Sequence, residues 1–281
     1  MTKLAVVTDS TAYIPEDLIE KFNIHVIPLS VVFEETSYQE QIDISTGKFY
    51  EKVEEATKLP STSQPPIGLF IELYETLAKQ YDGIISIHLS KEISGTYNTA
   101  ISAGSMIEEA EIYAFDSGLS CMPQGLFAIV ASEMAAEGKS AEEILDYLEK
   151  MKAKTYAYFM VDDLKHLQRG GRLTGAQALV GSLLNIKPVL HMPEGAIVPY
   201  EKIRTRKKAL QKIMAMLEED IQKKQVLRVV FIHAHDEPEA VKLQQLFQEK
   251  HPNIETIISY FGPVIGTHLG KGALGVSWYI E

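Results

Sequence analysis

The chain has 281 residues, more than one ordinary domain needs, which predicts two packed units or one large α/β unit. Hydrophobic residues at 46% and charged ones at 23% mark a globular chain rather than a disordered one. Its 27 Lys and Arg against 38 Asp and Glu leave a net charge of −11, which argues against general nucleic-acid binding, because phosphate backbones are gripped by clustered cations.

In chain order, the first half alternates β-rich runs with helical spacing. Leu4–Asp9, His25–Phe33, Gly83–Leu89 and Glu111–Asp116 read as strands. Between them Pro15–Phe22, Ile67–Gln80, Tyr97–Glu109, Cys121–Glu137 and Ser140–Lys152 read as helices. That rhythm predicts βαβ crossovers and an N-terminal α/β domain with a mainly parallel sheet, residues 1–160, with a small β excursion near 30–44. The second half reads differently. Tyr156–Val161, Lys187–His191, Ile197–Ile203, Leu227–His233, Glu255–Phe261 and Ala273–Ile280 are strand candidates, with helices only at Thr174–Leu184, Thr205–Lys224 and Glu237–Lys250. A hairpin turn at Met192–Ala196 completes the prediction of an α+β domain with an antiparallel sheet, residues 161–281. The apolar runs are too short to span a bilayer, and the N-terminus reaches polar residues too early for a secretory signal. The expectation is a soluble, cytoplasmic protein.

Four clusters set hydroxyls, glycines or cations where a strand should end. Thr8-Asp9-Ser10-Thr11 follows the opening strand, where Asp9 is either a base or ligand in the sheet crevice or a simple turn and cap. Ser61-Thr62-Ser63-Gln64-Pro65-Pro66 precedes a helix, whose free amides can cradle an anion or merely be capped. Ser90-Lys91-Glu92-Ile93-Ser94-Gly95-Thr96-Tyr97 follows an apolar strand and permits close backbone approach at Ser94-Gly95, but lacks the glycine pair of a nucleophile elbow, so anion binding fits it better than acyl-enzyme formation. Gly262 to Gly275 places five glycines around His268, either a loop built for a ligand or a tight chain reversal.

Two basic features stand against the net charge. Arg169-Gly170-Gly171-Arg172 reads as a turn presenting two guanidinium groups, suited to phosphate or carboxylate. Lys202 to Lys208 holds five cations at a helix start, where positive charge opposes the dipole. Other residues carry less. His233 and His235 alternate on a strand, Cys121 is a single cysteine without a disulfide partner, and no metal site is expected.

Taken as an ordered set, Thr8-Asp9-Ser10, Thr62-Ser63-Gln64-Pro65, Ser94-Gly95-Thr96-Tyr97, Arg169-Gly170-Gly171-Arg172 and Gly266-Thr267-His268-Leu269-Gly270 resemble the DegV family over essentially the whole chain. Pro66 departs from the small polar residue common there. The resemblance implies a non-enzymatic carrier subunit that binds one long-chain fatty acid, such as palmitate, with no cofactor. The tail would lie in a buried channel and the head group at the domain interface. The carboxylate would then be presented to a separate fatty acid kinase, which makes acyl phosphate for phospholipid synthesis; transient membrane contact is compatible with this. Carried over residue by residue, the carboxylate falls to Thr62, Ser94 and His268, supported by Ser63, Gly95, Gly266 and Thr267, while Arg172 and Arg204 face the kinase. Two alternatives stand beside it: a small-molecule phosphotransferase or hydrolase using Asp9, Ser94 and His268, and a regulatory protein acting through the basic patch without lipid.

Overall fold

The structure, a computed structural model, describes residues 3–173 and 186–280. Strands β1 (Leu4–Asp9) and β2 (Ile24–Ile27) flank helix α1 (Glu16–Phe22), and β3 (Ser30–Phe33) turns back as β4 (Thr36–Gln39). Then come α2 (Thr46–Glu55), β5 (Ser61–Ser63), α3 (Ile67–Ala78), β6 (Gly83–His88), α4 (Thr96–Gly104), β7 (Glu111–Asp116), α5 (Cys121–Ala136) and α6 (Ala141–Ala153). The rest is β8 (Thr155–Met160), α7 (Lys165–Gly170), β9 (Val189–His191), β10 (Val198–Glu201), α8 (Arg206–Lys223), β11 (Val226–His233), α9 (Glu237–Lys250), β12 (Glu255–Tyr260), α10 (Pro263–Leu269) and β13 (Leu274–Ile280).

The first sheet is parallel, in the order β2-β1-β6-β7. Its central strands β1 and β6 are buried along their whole length, as expected of a parallel sheet covered on both faces. Alternate residues divide between the two covers: Ala5 and Val7 pack with Phe70 and Tyr74 of α3, whereas Val6 joins the cluster that contains Leu126 and Phe127 of α5. α5 is apolar nearly all round because it also packs against β11 and β12 of the second sheet. One core therefore runs from β1 through α5 to Val230 and Ile232.

The second sheet has six strands, β10-β9-β8-β13-β11-β12. It is mixed rather than wholly antiparallel, since α9 returns the chain as a crossover and β12 pairs parallel to β11. The sheets change between α6 and β8: β8 already pairs with β13 and β9, a few residues ahead of the division near 160 expected from the sequence. The run His25–Phe33 is not one strand. Pro28, which lacks an amide donor, lies where it breaks into β2 and β3 of different sheets. The excursion becomes a small antiparallel sheet, β4-β3-β5, and β5 carries Thr62 to the site. The helix expected at Thr174–Leu184 lies outside the described residues. The glycine-rich segment after β12 is not simply a loop: Pro263 opens α10, which runs to Leu269.

Candidate functional site

A cavity of about 270 Å³ lies between the two sheets. Its wall is mainly apolar, with Leu29, Leu89, Phe159, Ile232, Phe261 and Val264 drawn from both halves of the chain. Polar residues interrupt it at several points, Ser120, Tyr158 and Ser277 among them. Thr62 from β5, Ser94 and Gly95 ahead of α4, His268 at the end of α10, and Arg172 after α7 all line the cavity, as does Ser63.

The pieces touch one another. Thr62 Oγ1 lies 2.9 Å from His268 Nε2. Ser94 Oγ accepts the Thr96 amide at 3.3 Å and sits 2.9 Å from Thr96 Oγ1, an arrangement that closes the first turn of α4 and fixes the serine. Ser90, at the head of the same loop, donates to the Gly195 carbonyl at 2.9 Å and so ties the loop to the β9–β10 hairpin. Gly170, the last residue of α7, lies close against Nδ1 of the His268 ring. A Cβ there would come within 2.2 Å of His268 Nδ1, so this close approach requires glycine. That Nδ1 is buried and has no hydrogen-bond partner among the described residues.

Burial and neighbouring charge keep His268 neutral. Burial, followed by the charges of Arg172 and Arg169 and by His166, pushes its pKa down to about 4. At neutral pH an uncharged imidazole therefore faces the cavity, and the positive charge nearest to it comes from the two arginines. These do not act as a pair. Gly171 ends α7 in the left-handed region (φ 71), which sends Arg169 to solvent and Arg172 back to the cavity. Arg172 Nε donates to the Ile93 carbonyl at 3.2 Å, and its guanidinium also donates to the Gly170 carbonyl. The guanidinium thus braces the Ser94 loop against α7.

The remaining expected residues lie elsewhere. Gly266 is buried against Tyr50 and Phe49, and Thr267 donates to the Pro263 carbonyl at 2.9 Å within α10; neither lines the cavity. Arg204 is exposed, away from the cavity wall. Its neighbour Arg206 is the engaged member of that basic run, bonded to Asp162, Asp236 and the Gly272 carbonyl. Asp9 is buried and also outside the lining, so Asp9, Ser94 and His268 do not meet as an enzyme's catalytic set would require. Among the described residues no cluster of three or more His, Cys, Asp or Glu could hold a metal. Cys121 lines the cavity, but burial first, helped by Glu40 and Asp9, pushes its thiol far above the usual range and makes it a poor nucleophile. The sequence reading missed Glu40, a buried carboxylate behind α10, because nothing in its local sequence marks it.

The profile of the DegV family matches residues 3–281. This chain belongs to the DegV family. Protein DegV of Bacillus subtilis is 54% identical over 276 residues, covering 98% of each chain. A DegV domain-containing protein of Halalkalibacterium halodurans is 49% identical and covers 100% of both. Among solved structures, DegV from Bacillus subtilis, described as a fatty acid binding protein, superposes with a TM-score of 0.95 at 52% identity, covering 100% of both chains. The fatty-acid-binding DegV family protein from Thermus thermophilus gives 0.93 at 31% identity, again over 100% of both. A stearic acid-binding protein of Eubacterium ventriosum gives 0.88 at 26% identity, covering 100% of this chain and 98% of that one. The DegV fold seen here, a parallel sheet joined through a shared helix to a mixed one, is that of these structures.

Proposed function

We propose that this protein binds one long-chain fatty acid, the tail in the cavity between the sheets and the carboxylate at Thr62, Ser94 and His268. The observation that carries the reading is the cavity itself: a mainly apolar wall that also carries Thr62, Ser94, His268 and Arg172, with no Asp or Glu in the lining and its thiol, Cys121, kept protonated by burial. Each buried methylene would contribute roughly 0.8 kcal/mol, so the tail supplies most of the affinity and the donors orient the head group. Relatives described as fatty acid binding at 52% and 31% identity support it. Organic extraction of the purified protein, read by mass spectrometry, should release one fatty acid per chain. Thr62→Ala and Ser94→Ala should each weaken palmitate binding to delipidated protein by about 0.5–1.5 kcal/mol. No extracted lipid, together with no palmitate uptake, refutes the proposal.

The finer part of the reading is that the bound carboxylate is presented to a separate, ATP-dependent kinase in the cytoplasm, the carrier itself doing no phosphoryl transfer. The absence of Asp9 from the cavity lining supports a carrier over a self-contained phosphotransferase. Arg172 braces the Ser94 loop, so its reversal would disturb the lipid site as well. Arg204 is exposed and gives the cleaner test. Arg204→Glu should lower acyl phosphate formation by the partner kinase while bound lipid persists, and added salt should weaken the parent's coupling, since exposed charges are screened over roughly 8–10 Å. Acyl phosphate made by the protein alone from fatty acid and ATP–magnesium would overturn the division of labour.

A further inference from the structure

Glu40 follows the short strand β4, yet it is fully buried, and no cation among the described residues pairs with it. It collects hydrogen-bond donors instead. Ser10 Oγ donates to one oxygen at 2.5 Å; the Tyr13 hydroxyl and the Val264 amide each donate to the other at 3.0 Å. The Tyr13 hydroxyl in turn accepts the Ile265 amide at 3.2 Å. Val264 and Ile265 lie in the first turn of α10, where amides have no intrahelical acceptor, and the N-cap Gly262 has no side chain to supply one. One carboxylate, directly and through Tyr13, therefore closes the first turn of the helix whose last turn carries His268. The same group reaches the cavity wall from another side: Ser10 Oγ accepts the Leu29 amide at 2.9 Å, and the Glu40 amide donates to the Leu29 carbonyl at 3.0 Å. Leu29, Val264 and Ile265 all line the cavity.

We propose that Glu40 is a positioning residue for the fatty-acid carboxylate: it fixes α10, and so His268 opposite Thr62, and it links that placement to proton uptake. The proposal rests on the fatty-acid reading above. The titratable groups around Glu40 are Asp9 on β1, Tyr13, Cys121 at the start of α5 and Tyr260 on β12. None of them is a cation. Burial dominates and holds the Glu40 carboxyl at about 7; the bonds from Ser10, Val264 and Tyr13 oppose it, and Asp9 adds to it. Burial also raises Tyr13, Tyr260 and Cys121, which stay neutral in that range. A hydrocarbon tail laid on Leu29, Val264 and Ile265 lowers the polarity of the cavity beside the residues that Glu40 holds, and a bound carboxylate adds negative charge nearby. Both disfavour the Glu40 anion, so binding draws a proton onto it. Affinity then falls as the pH rises through about 7, by at most about tenfold per pH unit for a single proton.

Glutamine separates geometry from charge. Its amide nitrogen can face Ser10 Oγ, whose hydroxyl turns to accept, while its oxygen keeps the Val264 and Tyr13 bonds. The experiment titrates delipidated parent, Glu40→Gln, Glu40→Ala and His268→Ala with palmitate carrying carbon-13 at its carboxyl, from about pH 6 to about pH 8.5, spanning the titration of a carboxyl near 7. Expected for Glu40→Gln are the parent's carboxyl resonance and a flatter pH profile. Expected for Glu40→Ala are retention of the tail, a carboxyl resonance moved to that of His268→Ala, and affinity lower by about 5–30-fold. Parent-like resonance and affinity in Glu40→Ala, or the parent's full pH slope in Glu40→Gln, overturns the proposal. Should Glu40→Ala not fold, the Glu40→Gln profile decides alone. A parent that binds no palmitate overturns the fatty-acid reading itself, whereas a carboxyl signal sensitive to His268 but not to Glu40 overturns only the present inference.

Discussion

Replacing Gly262 with alanine is expected to cost about 1–3 kcal/mol of stability, toward the upper end of what overpacking a core exacts. A Cβ there would lie 2.2 Å from a ring carbon of Tyr13. That ring cannot give way. It is 1% exposed, packs on Tyr260 with centroids 5.2 Å apart, and is pinned at its hydroxyl by Glu40 and the Ile265 amide. The backbone of Gly262 is ordinary (φ −75), so the cost is steric rather than conformational. Because α10 begins at the next residue, the strain should also shift His268 and weaken palmitate binding. Gly47→Ala is the control. It lies in the first turn of α2 with nothing within 4 Å of a built Cβ, and should stabilise by about 0.4–1 kcal/mol. Urea unfolding of both variants checks the pair; a Gly262→Ala protein as stable as the parent would show that Tyr13 is free to move.

Local burial decides how much of this fold is legible in the sequence. β1 and β6 are legible because strands buried against helices on both sides read as apolar runs, and α9 because its ends and apolar spacing agree. α2 was not expected, since it buries only Phe49 and Tyr50 among polar residues. α10 reads as a loop in sequence for the opposite reason. Its glycines are there so that Tyr13 and Tyr50 can lie against the backbone, a demand made by residues more than 200 positions away. At the site, Thr62, Ser94 and His268 were visible as clusters at element ends. The wall opposite them was not, because Ala157, Tyr158, Gly275 and Val276 enter one or two at a time from β8 and β13. Glu40 stayed hidden because its donors come from residues 10, 13 and 264, so in sequence it looks like any solvated glutamate.

Asp9→Ala should be the most damaging single change to the first sheet, by about 3 kcal/mol or more, because it strips several buried groups of their partner at about 1–3 kcal/mol each. Oδ1 accepts the Thr11 hydroxyl at 2.5 Å and the Thr11 amide at 3.1 Å; Oδ2 accepts the Leu89 amide at 3.0 Å and meets His88 Nδ1 at 3.0 Å. Behind it, His88 Nε2 lies 2.7 Å from Ser86 Oγ, which lies 2.7 Å from the Tyr74 hydroxyl. Asp, His and Ser in that order resemble a hydrolase array, but all three are fully buried, so no substrate reaches the serine. The chain of bonds is structural. Burial works against the Asp9 charge, yet the bonds from His88, Thr11 and Leu89 outweigh it and hold the carboxyl below its ordinary 3.8. A depressed carboxyl stabilises the fold above its unfolded value and loses that contribution as the pH falls through the folded one. Glu40 has the opposite sign: raised from 4.5 to about 7, it favours the fold below 4.5 and loses that contribution as the pH rises to about 7. Stability measured by urea unfolding across pH should therefore show a smaller acid limb in Asp9→Asn and a flatter neutral limb in Glu40→Gln. The consequence reaches the site through Leu89, whose amide Asp9 holds where β6 gives way to the loop bearing Ser94. Palmitate affinity should consequently fall in Asp9→Ala even under conditions where the variant remains folded, and unchanged affinity there would show that the Ser94 loop is held without Asp9, by its ties to Leu119, Asp116, Gly195 and Arg172.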